Sequence, residues 1–452
     1  MRRVTLLFTC FALLLQGGLA LSAPPNGLRL AGVAKIDITP SYPIRLTGYA
    51  VRKIESEGVA QHLFARALAI GSDREGPAIL ITIDNCGVPV NVRNEVVARL
   101  HKKKHVNPAR VALCSTHTHS GPCVTGFAPN IFGAPLPPEQ AARVQRYTSE
   151  LVDALETVAM QALEDRRPAR LARGLGTAGF AANRRTKGGP VDHDLPVLFV
   201  TSPEGNLRAI FTSYACHATT LTGEFNQVCG DWPGYAAETL EARHPGAVVL
   251  VGLGCAGDAN PSPRSSFELA KQHGEEIANA VDRVLAAGLV EIEGKLVCRT
   301  KQLELPFDKL PTRAEWETVA RQTNYPGSHA RLNLARLDRG EKLPTKLAYM
   351  VQSWVFGKSF AMVFLPGEVV VDYSLRLKKE FDAKRFWLNA YANDVPCYIP
   401  SERVLKEGGY EGGGAMVFYD RPTKFAPGIE ARIINAAHRI VPRDFENLRT
   451  SQ

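Results

Sequence analysis

Residues 110–122 read RVALCSTHTHSGP, a short apolar run that leads into two closely spaced histidines. The run from Arg110 to Cys114 predicts a buried β-strand, because it is short and apolar. His117 and His119 follow it, and side chains at i and i+2 point to the same side of an extended backbone. Neutral imidazole is a common metal ligand, so the pattern favours a metal site. A pair of hydrogen-bonded loop histidines is the alternative.

The same arrangement, a polar residue after an apolar strand, recurs along the chain. Strands are predicted at Leu63–Ile70, Ala78–Ile83, Arg110–Cys114, Val197–Val200, Leu207–Tyr214, Ala247–Val251, Phe360–Leu365 and Phe386–Ala390. The polar residues that follow them include Asp84, His117, His119, His217, Asp258, Glu368, Asn393 and Tyr398. Ligands of open α/β sheets bind beyond the carboxyl ends of the strands. These side chains are therefore expected to converge there.

Two long amphipathic segments predict helices that cover the sheet. Glu139–Leu163 repeats apolar residues at helical spacing, and Phe267–Ala287 does the same before Gly288. The mixture of strands and helices predicts an α/β fold with mixed sheets, helices covering them, and the active site at strand carboxyl ends. Residues 306–345 are more polar and punctuated by proline, which predicts an inserted helical subdomain or lid.

The N-terminus has the pattern of a secretory signal peptide. Arg2 and Arg3 precede a short apolar run, and small residues follow, which predicts a signal peptide at 1–23 and a mature domain at 24–452. The run is shorter than the about 20 residues of a membrane span, and an uncleaved anchor is the alternative. The mature chain is expected to be exported, to the periplasm, cell surface or medium, and to have no transmembrane span.

Charge and cysteine content exclude some classes of protein. The net charge of +9 is spread along the 452 residues, so a nucleic-acid partner is not expected. Nine cysteines include Cys10 in the predicted signal peptide, and the spacings of the other eight match no small disulfide framework or zinc ribbon. They are interpreted mostly as buried small residues, with one or two disulfides expected. Composition does not decide the oligomeric state.

Two of the candidate ligands are ambiguous by themselves. His217 follows an apolar strand, where a lone histidine is more often structural than a ligand. Glu368 follows a Pro-Gly turn at a strand end, which is an unusual place for a solvated carboxylate. The HExxH pattern of zincins is absent, and so is the HxHxD pattern of metallo-β-lactamases.

Several short motifs follow one another in a definite order between residues 32 and 426. They are GVAKIDITP at 32–40, Gly48-Tyr49, HTHSGP at 117–122, Asn183-Arg184, His217, Gly230-Asp231, Gly257-Asp258, Pro366-Gly367-Glu368, Asn393, Tyr398-Ile399 and Tyr410-Glu411-Gly412. This ordered set resembles the catalytic domain of the neutral/alkaline non-lysosomal ceramidases. The resemblance implies one zinc ion per chain, with His117, His217, Glu368 and Tyr398 as its ligands. It also implies that His119 lies beside the metal and that Arg184 is a polar contact in the active site.

The chain departs from the family pattern in two places. Asn260 stands where the family carries a serine, and asparagine can donate a hydrogen bond but cannot be an acyl nucleophile. An alternative is that Asn260 caps the turn before Pro261. The family's C-terminal immunoglobulin-like domain is expected to be absent, because little chain follows Tyr410. Both departures leave the substrate open.

The resemblance implies a zinc-dependent hydrolase of an N-acyl amide, with N-acyl sphingoid lipids among the substrates. Zinc lowers the pKa of bound water to about 7, so water can attack without a serine. His119 would pass a proton to the leaving amine, and Tyr410, Arg184 or Asn260 would stabilise the oxyanion. The alternatives are a hydrolase of esters or sugar-linked amides, and a catalytically inactive, metal-stabilised extracytoplasmic binding protein of the same fold.

Overall fold

A computed structural model describes residues 27–447, and the predicted signal peptide lies outside the described residues. The strands are β1 (Arg29–Asp37), β2 (Phe64–Ile70), β3 (Ala78–Ile83), β4 (Val111–Ser115), β5 (Arg167–Thr177), β6 (Ala181–Asn183), β7 (Asp194–Thr201), β8 (Leu207–Tyr214), β9 (Val248–Leu253), β10 (Ala259–Pro261), β11 (Val290–Glu291), β12 (Leu296–Pro306), β13 (Lys346–Phe356), β14 (Phe360–Phe364), β15 (Glu368–Val369), β16 (Phe386–Asn389) and β17 (Tyr398–Ile399). The α-helices are α1 (Val90–Lys104), α2 (Pro138–Glu164), α3 (Asp231–Arg243), α4 (Phe267–Ala286), α5 (Arg313–Ala320), α6 (Tyr325–Asp338), α7 (Asp372–Glu380), α8 (Glu402–Glu407), α9 (Gly409–Gly412) and α10 (Ile429–Ile440).

The largest sheet has nine strands and mixed direction. Its order is β4-β3-β2-β1-β5-β7-β8-β9, and β11 pairs with β5. Neighbours are antiparallel except β3 with β4 and β8 with β9, which are parallel. The edge strands β4 and β9 both end at one segment, because Cys114 bridges to Ala392 and Leu253 bridges to Ala390. The loops that follow these strands are thereby brought together.

A second sheet packs face to face on the first. Its order is β12-β13-β14-β16, with β14 and β16 parallel. The core between the sheets includes Leu80 and Phe211 from the larger sheet and Trp354, Phe360 and Trp387 from the smaller. Helices α1 to α4 cover the outer face of the larger sheet, and α10 covers β12 and β13. The result is a protein of four layers, and its mixed sheets covered by helices confirm the predicted α/β class.

Burial on both faces explains the apolar strands that dominate the sequence. In β3, Ile79, Ile81 and Ile83 face the helices, while Leu80 faces the second sheet. Such a strand has no solvated face, so its apolar run is almost continuous. Burying each of these side chains contributes about 1.5–3 kcal/mol.

Each of the eight predicted strands overlaps an observed one, and both predicted helices are present as α2 and α4. Among the strands that prediction missed, β12 carries many polar side chains. In the edge strand β12, Arg299, Lys301 and Gln302 are exposed, so no apolar pattern marks it. Pairing with β13 along its whole length holds β12 in the extended conformation.

Two helices occupy the stretch for which a helical insertion is predicted. Helices α5 and α6 lie between the paired strands β12 and β13 and form a hairpin. The hairpin has a small core of its own, with Trp316, Ala330 and Leu343. Thr312 and Glu315 form a capping box at the start of α5. Whether this hairpin is a separate subdomain or lid stays a prediction.

The expectation of one or two disulfides is wrong for the described residues. All eight cysteines between residues 27 and 447 are free, and seven of them are buried. They pack as small apolar side chains, and burial raises the pKa of the Cys123 and Cys397 thiols to about 12.

None of the helices between residues 27 and 447 combines the length and the hydropathy that crossing a bilayer requires.

Candidate metal centre

The loop after β4 turns both histidines of the HTH motif toward one point. His117 has a left-handed φ of 56°, so the backbone is not extended there and the i, i+2 alternation of a strand does not explain the convergence. The loop is held by hydrogen bonds from Thr118 Oγ1 to Cys229 O (2.6 Å) and from His119 N to Ala218 O (3.2 Å). As a result the Nε2 atoms of His117 and His119 lie 3.1 Å apart.

Three further predicted ligands arrive from other strands. His217 follows β8, and Glu368 and Tyr398 stand opposite each other in the parallel pair β15–β17. Glu368 Oε2 lies 3.1 Å from His117 Nε2 and 3.0 Å from His217 Nε2. Tyr398 Oη lies 3.3 Å from His217 Nε2. All four side chains are buried.

The four donors fit a small divalent cation. The donor atoms of His117, His217 and Glu368 lie within 4.8 Å of one another. Tetrahedral coordination at zinc distances separates neighbouring donors by about 3.3–3.4 Å, close to the contacts described above. The other imidazole nitrogens are occupied, because His117 Nδ1 lies 2.5 Å from Cys86 O and His217 Nδ1 lies 2.7 Å from Ala256 O. These bonds aim both Nε2 atoms at the shared point.

The electrostatics of the cluster also favour a cation. Burial would raise the pKa of Glu368, but His117 and His217 outweigh it and hold that pKa well below its usual range. Burial, helped by Arg184, lowers the pKa of His217 to about 4, so this imidazole is neutral. Burial opposes a charge on His117, yet Cys86 and Glu368 raise its pKa to about 10. A metal ion would replace the proton on His117, since ligand histidines are neutral.

Arg184 joins the donor cluster to its polar surroundings. Its Nη2 donates to Tyr398 Oη at 2.9 Å, and its Nε pairs with Glu411 Oε1 at 2.7 Å. Its Nη1 lies 3.4 Å from both His217 Nε2 and Asn260 Oδ1. The carboxylate of Glu411 balances the guanidinium charge, so the arginine is tolerated beside a cation site.

Asn260 and Tyr410 occupy different positions around Arg184. The Asn260 Oδ1 lies 3.4 Å from Arg184 Nη1 and 3.4 Å from Thr219 Oγ1, so the side chain faces the site rather than its own turn. Tyr410 is 47% exposed, and its ring lies 5.3 Å from that of Tyr398. It therefore stands at the mouth of the site.

The cluster opens into a small pocket. The lining combines polar groups with apolar ones, namely His117, His119, Glu368 and Tyr398 with Phe127, Ala128, Ile131, Tyr410 and Phe418. Gly48 lies against the ring of His119, and a Cβ there would come within 2.5 Å of His119 Cγ. Its φ of +89° also favours glycine. Glycine at position 48 therefore leaves the space that the His119 ring occupies.

Three other polar residues at strand ends have structural partners instead. Asp84 is buried in an ion pair with Arg66 at 2.9 Å. Asn393 Oδ1 accepts a hydrogen bond from Arg93 at 3.0 Å, and Asp258 accepts one from a backbone N–H at 2.8 Å. A strand-end position alone therefore does not distinguish a ligand from a structural polar residue.

Sequence reasoning missed three residues at the centre. Tyr419 Oη donates to Glu368 Oε1, and Cys86 Sγ lies 3.7 Å from His117 Nδ1. The ring of Tyr391 lies 4.4 Å from that of His117. None of the three stands in a motif with recognisable spacing, so no local signal marks them.

The amino-acid sequence also matches a known family. The family model described as "Neutral/alkaline non-lysosomal ceramidase, N-terminal" matches residues 30–252. Over this segment, slightly less than half of its length, the chain is similar to this family. Among curated ceramidases, that of Drosophila melanogaster is 28% identical over 261 residues, covering 51% of this chain and 36% of the relative. The neutral ceramidase of Pseudomonas aeruginosa is 25% identical over 342 residues, covering 66% of this chain and 48% of the relative.

The chain spans between about a third and about half of the length of those relatives. Two solved structures share its fold. One, described as "Ceramidase complexed with C2", has a TM-score of 0.73 at 18% identity and covers 90% of this chain and 74% of its own. The other, neutral ceramidase from Pseudomonas aeruginosa, has a TM-score of 0.71 at 20% identity and covers 91% and 74%.

Proposed function

We propose that this chain is a metal-dependent hydrolase that cleaves the amide bond of an N-acyl substrate. One zinc ion would be held by His117, His217, Glu368 and Tyr398. The observation that carries the proposal is the convergence of these donors at 3.0–3.3 Å where the pocket meets the core. Similarity to proteins named neutral ceramidase directs the proposal to N-acyl sphingoid lipids.

The proposed chemistry divides between the ion and the side chains. When bound, zinc polarises a carbonyl oxygen and lowers the pKa of water to about 7. Burial, together with His117 and His217, holds the pKa of His119 well below its usual range, so its imidazole is neutral. His119 Nε2 would take a proton from the attacking water and return it to the leaving amine.

The surrounding residues orient the substrate. Arg184 holds Tyr398 Oη by a 2.9 Å hydrogen bond and keeps positive charge near a developing oxyanion. Tyr410, at the mouth, would donate to the same oxyanion or to the amide. The apolar lining from Phe127, Ile131 and Phe418 would receive the acyl chain.

Purified protein assayed against N-acyl sphingosines and N-acyl amino acids, with and without a chelator, tests this function. We expect release of fatty acid that a chelator abolishes and zinc restores. His117→Ala should lose both metal and activity, whereas His62→Ala, at an exposed histidine paired with Asp37, should keep both. Stoichiometric zinc with no turnover of any amide would favour the binding protein. A trapped acyl intermediate would overturn direct attack by water.

Export is part of the proposal, with residues 1–23 removed as a signal peptide. Mass spectrometry of the exported protein should find a start between Leu21 and Pro24. A start at Met1 in exported material would contradict it.

A further inference from the structure

The second carboxylate oxygen of Glu368 is held by a residue outside the proposed ligand set. While Oε2 faces the imidazoles, Oε1 accepts a hydrogen bond from Tyr419 Oη. Tyr419 is 7% exposed, and its ring lies 6.0 Å from that of Phe127 and 6.1 Å from that of Tyr398. A buried hydroxyl that holds one oxygen prevents the carboxylate from rotating. Tyr419 thereby determines which oxygen faces His117 and His217.

The residue after Tyr419 is anchored to the inserted helical hairpin. Asp420 has a φ of 55°, a left-handed conformation that is uncommon for residues other than glycine. Its carboxylate makes a two-point ion pair with Arg336 of α6, with 2.7 Å between Nη1 and Oδ1 and a second contact between Nη2 and Oδ2. His329 Nε2 on the same helix lies 3.3 Å from Oδ1. Helix α6 therefore stabilises the backbone conformation of Asp420, the residue next to Tyr419.

The same helix also contacts the segments that contain Ala50 and Gly133. The hydroxyl of Tyr325 donates to Ala50 O at 3.1 Å, and that of Ser328 donates to Gly133 O. The ring of Tyr325 also lies 5.2 Å from that of Phe418, in the pocket wall. These contacts fix the position of α6 relative to the pocket. In that position Arg336 and His329 contact Asp420.

We infer that Tyr419 is a positioning residue for the Glu368 carboxylate, and that Arg336 and His329 of α6 hold it in place through Asp420. The inference rests on the proposed metal centre. It gives the α5–α6 hairpin a task at the metal centre, because the hairpin stabilises the orientation of one ligand. Metal affinity should then depend on an ion pair whose residues touch no ligand.

Zinc affinity, measured by competition with a chromophoric chelator, tests the inference without any assay of hydrolysis. Tyr419→Phe keeps the ring and removes the hydroxyl, and it should weaken zinc binding about 10–100-fold, the usual effect of losing a hydrogen bond to a ligand. Tyr42→Phe is the matched control, because its hydroxyl donates to Glu150 at a site remote from the pocket. It should leave zinc affinity unchanged.

The ion pair is tested by Arg336→Gln, with Arg313→Gln as the control in the same hairpin. Arg313 pairs with Asp338 at 2.7 Å on the exposed side, so its loss should not alter zinc affinity. Arg336→Gln should weaken zinc binding in the same direction as Tyr419→Phe. The double variant should bind zinc no more weakly than Tyr419→Phe alone, since Arg336 acts through that hydroxyl. If Arg336→Gln does not fold, Asp420→Asn replaces it in the comparison of the single and double variants.

Unchanged zinc affinity in Tyr419→Phe, or additive losses in the double variant, would overturn the inference. Failure of the wild-type protein to bind zinc would overturn it together with the proposed function. Zinc binding that follows the expected pattern without amide hydrolysis would support the inference and contradict only the hydrolase.

Discussion

Asn260 is connected to the proposed ligand Tyr398 through Arg184. Its Oδ1 lies 3.4 Å from Arg184 Nη1, and Arg184 in turn donates to Tyr398 at 2.9 Å. An asparagine in this place keeps the guanidinium oriented but offers no nucleophile. The residue therefore favours chemistry in which water attacks.

Replacing Asn260 by alanine should lower turnover while leaving the metal bound. We expect a decrease of about 100-fold, at the lower end of the loss of one oxyanion donor, because Arg184 remains present. Turnover, zinc content and thermal midpoint are measured on the same preparation. Normal turnover with a lowered thermal midpoint would show that Asn260 only supports its turn.

At the scale of elements, the ends of a helix can be predicted from the local sequence where the helix is amphipathic and capped. Helix α4 begins after Ser266, whose Oγ accepts a hydrogen bond from Leu269 N at 3.1 Å. The serine satisfies one of the backbone N–H groups that the first turn leaves without a partner. Edge strands such as β12 carry no comparable local signal, because pairing with the neighbouring strand holds them extended.

Ser266→Ala should destabilise the protein by about 1 kcal/mol, because the first turn of α4 loses its cap. Chemical denaturation measures the change in the free energy of unfolding. Ser149→Ala, in the exposed middle of α2, is the control and should cost nothing, since alanine is the better helix former. Equal effects of the two substitutions would contradict the role of the cap.

At the scale of the whole molecule, the candidate metal centre connects distant parts of the chain. His117 and His217 follow strands of the nine-stranded sheet, whereas Glu368 and Tyr398 come from the β15–β17 pair. A bound ion would therefore tie these regions together in the native state only. Ligands that bind only the native state raise its stability by mass action.

Zinc should raise the free energy of unfolding by about 3 kcal/mol when free metal is 100 times its dissociation constant. Thermal or chemical denaturation with buffered zinc, compared with chelator, measures the shift. His117→Ala should show no zinc-dependent shift. A shift of equal size in that variant would place the ion elsewhere.

A pH dependence of global stability is expected from Asp394, in the loop between β16 and β17. Its carboxylate accepts a hydrogen bond from Val90 N at 3.1 Å, where this loop meets the start of α1. Burial raises its pKa from 3.8 to about 6, against the opposing effect of Arg421. The native state binds this proton more tightly than the unfolded state, so the contribution is full below pH 3.8 and is lost as pH rises through 6.

Asp394→Asn should therefore remove part of the decline in stability between pH 4 and pH 7. We expect the variant to match the wild type near pH 4 and to exceed it by about 2 kcal/mol near pH 7.5, as a shift of this size implies for a partly exposed group. Urea denaturation across this pH range measures it. Parallel curves for the two proteins would contradict the assignment to Asp394.

The sequence by itself determined the fold class, the positions of eight strands, and the ordered motifs that resemble the family. These features are local, because period and composition over a few residues report burial. Only the tertiary structure decided that Asp84 and Asn393 are structural, that the described cysteines are free, and that Tyr419 holds Glu368. Those outcomes depend on contacts between residues far apart in the chain, as in the hydrogen bond that joins positions 51 residues apart. No local pattern encodes such a contact, since the packing of the sheets and of helix α6 creates it.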